Sequence, residues 1–457
     1  MTPLADVARA MFAAAVAAVQ PDALVSRLEF TPAGIAFGDD RIEPGGRLVL
    51  VALGKAGPTW AASFLARSRR APDTVFVLAP DASVVPASLA AHTRMASHPV
   101  PDERGRAATR ALLALLAGLT PADGVVLLLS GGASALLAQP LAGLAAADVA
   151  AVTADLLGHG ATIGELNTVR KHLLAASGGR LAAGCAAPIL TLVLSDVPGD
   201  ALATIASGPT VGDPSTSADA LAVLTRRALA TRHPRISSFL AAESSRSAAE
   251  SPKPGDRRLA HSHAHLVGDS SLALAAAAET ARQAGLVPLR LSRTLRGEAR
   301  VVGAALGALA TATAAGEGTA LLFGGETTVT VRGDGCGGRS LELALAAAAA
   351  MRSAPERCLL AAGTDGVDGT SPAAGAVVDG ATLSRGAARG RDAAVALEHN
   401  NAWGFFAGMP EAIVTGPTGT NVADLVFVLV AGAAPAFVGD RAGETASLAA
   451  PADRMTP

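Results

Sequence analysis

Tyrosine is absent from this chain, tryptophan occurs twice, cysteine three times, and only 17% of the 457 residues are charged. Each shortage excludes something. Cys185, Cys336 and Cys358 form no CxxC pair and are too few for a disulfide framework, so a reducing, cytoplasmic setting is expected. With 3% aromatics, a net charge of −2 and no long basic run, the chain lacks both the stacking platform and the charge footprint of a nucleic-acid binder. It also lacks a long hydrophobic run. The best candidate, LVFVLVAGAAPAFV from Leu425, is interrupted by Pro435; it reads as a buried strand and its exit turn, not as a membrane span. The opening segment carries Asp6 and Arg9 in helical apolar spacing without a basic leader, which predicts an amphipathic helix and no signal peptide.

Lysine is scarcer than charge alone requires. Of 37 basic residues only Lys55, Lys171 and Lys253 are lysine, and an ammonium does work that a guanidinium cannot. Lys55 and Lys171 fall in glycine-rich segments, whereas Lys253, in SPKPGD, reads as part of a linker.

What is abundant is alanine, glycine and short aliphatic runs. RLVLVALG, VVLLLSGG and APILTLVLSD each end in a glycine-rich turn before a helical stretch. Continuous apolar strands alternating with helices predict an α/β fold with a doubly wound, mainly parallel sheet in a Rossmann-like N-terminal domain, residues 1–235. A Ser-, Pro- and charge-rich stretch, 236–260, reads as a linker or insertion. Residues 261–457 are expected to form a smaller mixed-sheet α/β domain, with the alternation in ETTVTVR marking an antiparallel strand.

Ligands of open α/β sheets bind beyond the carboxyl ends of the strands, where helix N-termini offer free N–H groups to anions. The small loops at such positions are Gly54-Lys55, Ser130-Gly131-Gly132, Ser207-Gly208-Pro209-Thr210, Gly324-Gly325-Glu326 and the run Thr415 to Asn421 that includes Thr418 and Thr420. Together they predict a phosphate-lined cleft. Lys55 is not a Walker A lysine, because Val49 and Ala56 occupy positions that need glycine and a hydroxyl. GDGCGGRS holds G-x-G-x-x-G at Gly333, Gly335 and Gly338, but no buried parallel strand precedes it, so an anion-binding turn with Arg339 at a helix start is the better reading. Asp196 and Asp365, at strand ends, are candidates for holding Mg²⁺, whereas Asp200 and Asp368 read as turn residues. His261, His263 and His265 alternate as on one strand face but have no matched carboxylate, so an exposed surface is expected. His98, in ASHPVPD, is either structural or part of the cleft.

Read together, ASHPVPDERG, LLLSGGASALL, ELNTVRKHLLAASGGRLA, TLVLSDVPGDALATIASGPTVGDPST, LLFGGETTVTVRGDGCGGR, AAGTDGVDGTSPAAGAVVDG and TGPTGTNVADL resemble the successive motifs of glycerate 2-kinases, the MOFRL family. The resemblance implies two α/β lobes around a cleft for ATP, Mg²⁺ and D-glycerate, with 2-phosphoglycerate as product. It places the catalytic lysine on Lys55 and the catalytic arginine on Arg339, and adds Ser134, Asn167, Arg170 and Ser207 to the substrate- or phosphate-binding candidates. The chain departs from the family pattern at Ser177, at Ser340-Leu341 and at Asn401, which leaves the hydroxy acid open. Asp196 or Asp365 is expected to hold Mg²⁺ or to accept the hydroxyl proton, with the assignment between them left open. The expected partners are ATP and a small hydroxy acid, with no nucleic acid and no membrane, and a homodimer is allowed for. The rival readings are an NAD(P)H-dependent hydroxypyruvate reductase, a kinase of a related hydroxy acid, and a nucleotide sensor without turnover.

Overall fold

The computed structural model describes residues 3–432 apart from 198, 245–249, 314, 315, 317, 353 and 355. The chain opens with α1 (Pro3–Ala18), whose Ala8, Met11, Phe12 and Ala15 make the buried stripe that the apolar spacing predicts. Three short antiparallel strands follow, Glu29–Phe30, Ile35–Phe37 and Asp40–Ile42.

The first lobe is built on six strands: β1 (Leu48–Leu53), β2 (Thr74–Pro80), β3 (Thr93–Ala96), β4 (Gly124–Leu129), β5 (Ile189–Leu194) and β6 (Ser262–Gly268). Their spatial order is 3-2-1-4-5-6 and every pairing is parallel. This is the doubly wound arrangement expected. Every residue of β1, β4 and β5 is buried, because helices cover both faces of such a sheet. Among those helices is α2 (Gly57–Arg67), whereas α3 (Ile163–Leu173) and α4 (Pro234–Ser244) pack on other helices in a separate cluster.

Two features move the expected lobe boundary. Helix α4 buries Ile236 and Leu240 in a cluster with Val152, Leu166, Val169 and Leu224, so the predicted linker begins inside a packed helix. Strand β6 then pairs with β5, which carries the first lobe to Gly268 instead of ending it near residue 235. SHAHLVG escaped notice because it is an edge strand. Only its last two residues are fully buried, so it shows no long apolar run.

The second lobe holds α5 (Ser270–Gln283), β7 (Val287–Leu295), α6 (Ala299–Ala312), β8 (Thr319–Gly325), α7 (Arg339–Ala350), β9 (Arg357–Gly363), β10 (Gly375–Asp379), β11 (Ala412–Ile413) and β12 (Asp424–Val430). The sheet order is β7-β8-β12-β9-β10-β11. Only β7 and β8 run parallel; the other pairings are antiparallel. The mixed sheet is as expected, but ETTVTVR is not one of its strands. That segment makes a single bridge, Thr328 with Glu298, and Val331 is 75% exposed, so its alternation reflects one wall of a cleft. The exit turn at Pro435 lies outside the described residues.

Helix α1 packs on α5 and on β9, β10 and β12. The chain therefore begins on the second lobe, builds the first, and returns. Among the described residues no helix is long and apolar enough to cross a membrane.

Candidate active site

The strand order of the first lobe reverses between β1 and β4, and the loops leaving these two strands diverge to open a crevice. Lys55 stands on the first loop and Ser130-Gly131-Gly132 on the second. The Lys55 amide donates to the Gly131 carbonyl at 2.9 Å, locking one loop to the other. Ser130 reinforces that lock: its hydroxyl accepts from the Ala56 amide at 3.1 Å and donates to the Leu53 carbonyl at 3.0 Å. Ser130 is thus a brace for the loop, with its hydroxyl already spent, instead of the phosphate ligand expected.

The facing wall comes from the second lobe. Because β12 runs antiparallel between β8 and β9, its first residue, Asp424, lies beside Gly325 and Gly363 at the carboxyl ends of both neighbours. Between the lobes is a cleft of about 750 Å³ lined by Lys55, Asp196, Glu326, Arg339, Asp365 and Asn421 among others. The lobes touch across it. Lys55 Nζ is 3.8 Å from Asp365 Oδ2, and Asn421 Nδ2 donates to Asp196 Oδ2 at 3.0 Å.

Asp196 follows β5 and lies against the backbone of Gly131, where a Cβ would fall 1.8 Å from Oδ2. Only glycine permits that approach. Burial pushes the Asp196 carboxyl up to about 6, with Lys55 opposing and Glu326 adding to the shift. An anion held this close to other anions favours a cation beside it.

Arg339 starts α7, as predicted, but its fork is already filled. Nε donates to Asp424 Oδ2 at 2.6 Å and the terminal Nη2 to Oδ1 at 3.0 Å, while Nη1 pairs with Glu326. Burial also raises the Asp424 carboxyl, and Arg339 holds it back. Asp368 completes the set by accepting from the Ser340 and Leu341 amides at 3.1 and 2.8 Å. The anion that justifies an arginine at this helix start is thus the protein's own. The signal missed in the sequence is the single carboxylate in VADLVFV, at the head of a fully buried strand.

The remaining candidates divide. A side chain on Gly132 would meet His98 and Lys55, so His98 packs beside the Lys55 loop; burial lowers its pKa first and the Lys55 charge lowers it further. Ser134 Oγ and Ser207 Oγ are 3.0 Å apart, one loop beyond. Asn167 is buried and Arg170 partly so, both on α3. Glu326 is exposed in the cleft next to Gly325. The threonines serve the loop itself: Thr415 bonds the Gly416 carbonyl at 2.8 Å, Thr418 the Thr364 carbonyl at 2.6 Å, and Thr420 the Val19 carbonyl at 2.6 Å. Of the three lysines only Lys55 faces the cleft. Lys171 is buried on Asp213 at 3.0 Å, and Lys253 pairs with Glu250 at 3.0 Å. His263 and His265 do have a carboxylate, shared by both: Asp40, at 3.0 and 2.7 Å.

The glycines of GDGCGGRS pack against the chain around His399 and Asn401, and Gly338 against Asp368, which is not a strand-turn-helix dinucleotide site. Among the described residues no three His, Cys, Asp or Glu side chains converge as a metal cage. The departures from the family pattern have local outcomes. Asn401 accepts from the Cys336 and Gly404 amides at 3.2 and 3.3 Å, Leu341 and Ser177 are buried, and the Ser340 hydroxyl is buried with no partner.

These features define a two-lobed α/β enzyme whose acid-rich interlobe cleft holds a single lysine at a topological switch point. Comparison with known proteins gives the particular family. A model described as a domain of unknown function, DUF4147, matches residues 7–241, and the MOFRL family model matches residues 319–424. A D-glycerate 2-kinase of Thermotoga maritima is 40% identical over 341 residues, spanning 73% of this chain and 79% of that protein. A protein of Agrobacterium vitis named as a hydroxypyruvate reductase is 39% identical over 435 residues, 93% of this chain and 94% of its own length. The crystal structure of the Thermotoga maritima glycerate kinase superposes with a TM-score of 0.78 at 35% identity, covering 93% of this chain and 99% of that one. The chain belongs to the MOFRL family of glycerate kinases.

Proposed function

We propose that the protein is a glycerate 2-kinase, transferring the γ-phosphoryl group of ATP to the 2-hydroxyl of D-glycerate. The observation that carries this reading is the placement of Lys55 at the sheet's switch point, facing Asp365 across the cleft, with Asp196 on its own lobe. A lone ammonium at this site holds phosphate charge, and phosphoryl transfer rests on positioning and charge neutralisation of this kind.

Mg²⁺ fits the donors present. Two carboxylates, Asp196 and Asp365, reach the cleft without forming a closed cage, which matches an ion that keeps waters and takes one or two carboxylates together with substrate phosphates. Bound there, it would supply bridging and neutralisation of phosphate oxygens. Lys55 orients the phosphate against the crevice loops. Where Asp365 carries the ion alone, Asp196, raised to about 6 by burial, is suited to accept the hydroxyl proton near neutral pH. Arg339 is a positioning residue: it fixes Asp424 and Glu326 and so shapes the acidic wall. The two lobes exclude water from the transferred group when they close on both substrates.

The test is ADP formation across a panel of small hydroxy acids, with the phosphorylated position read by phosphorus NMR. ADP and a 2-phosphoester from D-glycerate are expected. NADH consumption with hydroxypyruvate, without ADP formation from any acid, would replace this reading with the reductase.

A further inference from the structure

Resting on the kinase reading, we infer that the segment from Thr327 to Val331, together with Val367, is the seat of the nucleoside of ATP, with the purine ring against the valines and the backbone edge beside them. Among the described residues that line the cleft, only Lys55 and Asp196 belong to the first lobe, and both are charged. A purine is flat and largely apolar, so its seat needs aliphatic walls with a few fixed donors and acceptors. The first lobe offers the cleft no such wall. The second lobe supplies Val329, Val331 and Val367, and Val331 and Val367 stand 75% and 42% exposed there.

The polar groups come from the backbone. After β8, alternate residues bond to the turn that follows β7. The Glu326 amide donates to the Leu295 carbonyl at 2.9 Å, the Thr328 amide to the Gly297 carbonyl at 2.9 Å, and the Thr330 amide to Glu298 Oε1 at 3.0 Å. Successive peptide groups of an extended chain point to opposite sides. The amides and carbonyls of Thr327, Val329 and Val331, between those bonded residues, engage no other described residue. Thr327 is only 4% exposed, and its hydroxyl likewise has no partner among the described residues; groups this buried are paired in native structures, by ligand or by water. An extended residue offers one donor and one acceptor on the same side. An adenine ring matches that pair, its amino group donating to the carbonyl and its ring nitrogen accepting from the amide.

The segment is also held in place. Asn400, 8% exposed and in the left-handed region at φ 52°, spends its whole carboxamide around it. Oδ1 accepts from the Arg332 and Gly333 amides at 2.6 and 3.1 Å, and Nδ2 donates to the Thr330 carbonyl at 3.3 Å and to Glu342 Oε2 at 3.1 Å. On the neighbouring loop the Thr370 amide donates to the Gly337 carbonyl at 2.9 Å. A surface fixed before binding loses little entropy on binding, so these valines are exposed on a rigid wall. The direction fits as well. Glu326 pairs with Arg339 at the charged end, and at ~3.3 Å per extended residue Val331 lies roughly 16 Å further along the chain. A nucleotide bound this way has its triphosphate toward Lys55 and Asp365 and its base toward Val331.

Val331→Asp and Val367→Asp put a charge against the base without touching the charged end. ADP affinity is measured by titration calorimetry, KM for ATP and for D-glycerate by steady-state turnover, and the phosphate subsite alone by inhibition with inorganic tripolyphosphate, which carries no base. Each substitution should weaken ADP at least about tenfold and raise the ATP KM in step, while the tripolyphosphate inhibition constant and the glycerate KM stay within twofold of wild type. Val331→Leu, which keeps an aliphatic wall, should retain ADP affinity within threefold. If Val331→Asp does not fold, Val367→Asp gives the same reading. ADP affinity within twofold of wild type in the folded acidic variants overturns the inference. So does a loss of tripolyphosphate inhibition as large as the loss of ADP binding, which would put the segment against phosphates instead of the base. Wild-type protein that neither binds ADP nor forms it from any hydroxy acid would sink the kinase reading itself, a separate result.

Discussion

The two lobes solve the problem of holding a charged ligand by different means. In the first, six parallel strands end in glycine-rich turns, and the crevice wall is mostly backbone, with Lys55 and Asp196 its only charged cleft groups among the described residues. In the second, an antiparallel strand lies between two others, and the wall is made of side chains: Glu326, Asp365, Asp368 and Asp424, disciplined by Arg339. A parallel sheet brings all its carboxyl ends to one edge, so loop backbone alone can build a site there. A mixed sheet brings amino and carboxyl ends together, and the site must be assembled by ion pairing. It follows that damage to the first wall should cost chemistry, and damage to the second should cost stability as well.

The largest effect tests the first half of that contrast. Lys55→Ala should lower kcat/KM by about 3–4 kcal/mol of transition-state stabilisation, while the thermal midpoint stays level because the side chain is 39% exposed and its one ion pair is 3.8 Å long. Unchanged turnover in the folded variant would erase the contrast.

Arg339→Met tests the other half. It strands Asp424, whose side chain is 9% exposed, and breaking a buried pair from one side costs about 3 kcal/mol. Chemical denaturation should show that loss. The double variant Arg339→Met/Asp424→Asn should regain most of the stability without regaining activity. If Arg339→Met keeps native stability, the second wall is not held together by ion pairing.

Asp196 lies where the two walls meet. Its native carboxyl, raised to about 6, binds protons that the unfolded chain, titrating near 4, has released. Native stability therefore falls as pH rises from about 4 to about 6. The Asp196→Asn variant should be stabler than wild type at pH 7.5 by about 1 kcal/mol, discounting for its partial exposure, with the difference gone below pH 4. If the anion is the working form, wild-type kcat/KM climbs through pH 6 and the variant's residual rate does not. A flat wild-type profile there would remove Asp196 from the chemistry.

The smallest effect is a gain. Ser340 is buried in the first turn of α7 with its hydroxyl unpaired, so Ser340→Ala should add about 1 kcal/mol by removing an unsatisfied group and improving helix propensity. A lower midpoint in that variant would mean that the hydroxyl has found a partner within the second wall.

The same difference decided what could be read in advance. The first lobe was legible because its evidence is local: an apolar run, a glycine turn, a helix, repeated along the chain. Lys55, Asp196 and Gly131 stand where those runs end. The second wall was only half legible. Asp365 and Arg339 are marked by nearby glycines, but the partner of Arg339 is 85 residues away, and nothing in either neighbourhood names the other. Hydroxyl-rich loops misled in the opposite direction. Ser130, Thr418 and Thr420 look like phosphate ligands in sequence, yet a buried turn has its own backbone groups to satisfy. ETTVTVR alternates like a strand yet makes a single bridge and lines the cleft with consecutive residues, Glu326 to Val329.

Helix α1 has a consequence for how the protein is made. Its apolar stripe of Ala8, Met11, Phe12 and Ala15 finds most of its partners on α5 and the later strands of the second sheet, which leave the ribosome long after it. At synthesis rates of ~5–20 residues per second the delay is on the order of tens of seconds. The first lobe, with its sheet complete at Gly268, has the time to fold in that interval while α1 is still unclaimed. A greasy helix waiting beside a finished domain is a target for chaperones and for neighbouring nascent chains. Expression at high level should therefore be limited by this early segment more than by anything in the catalytic cleft.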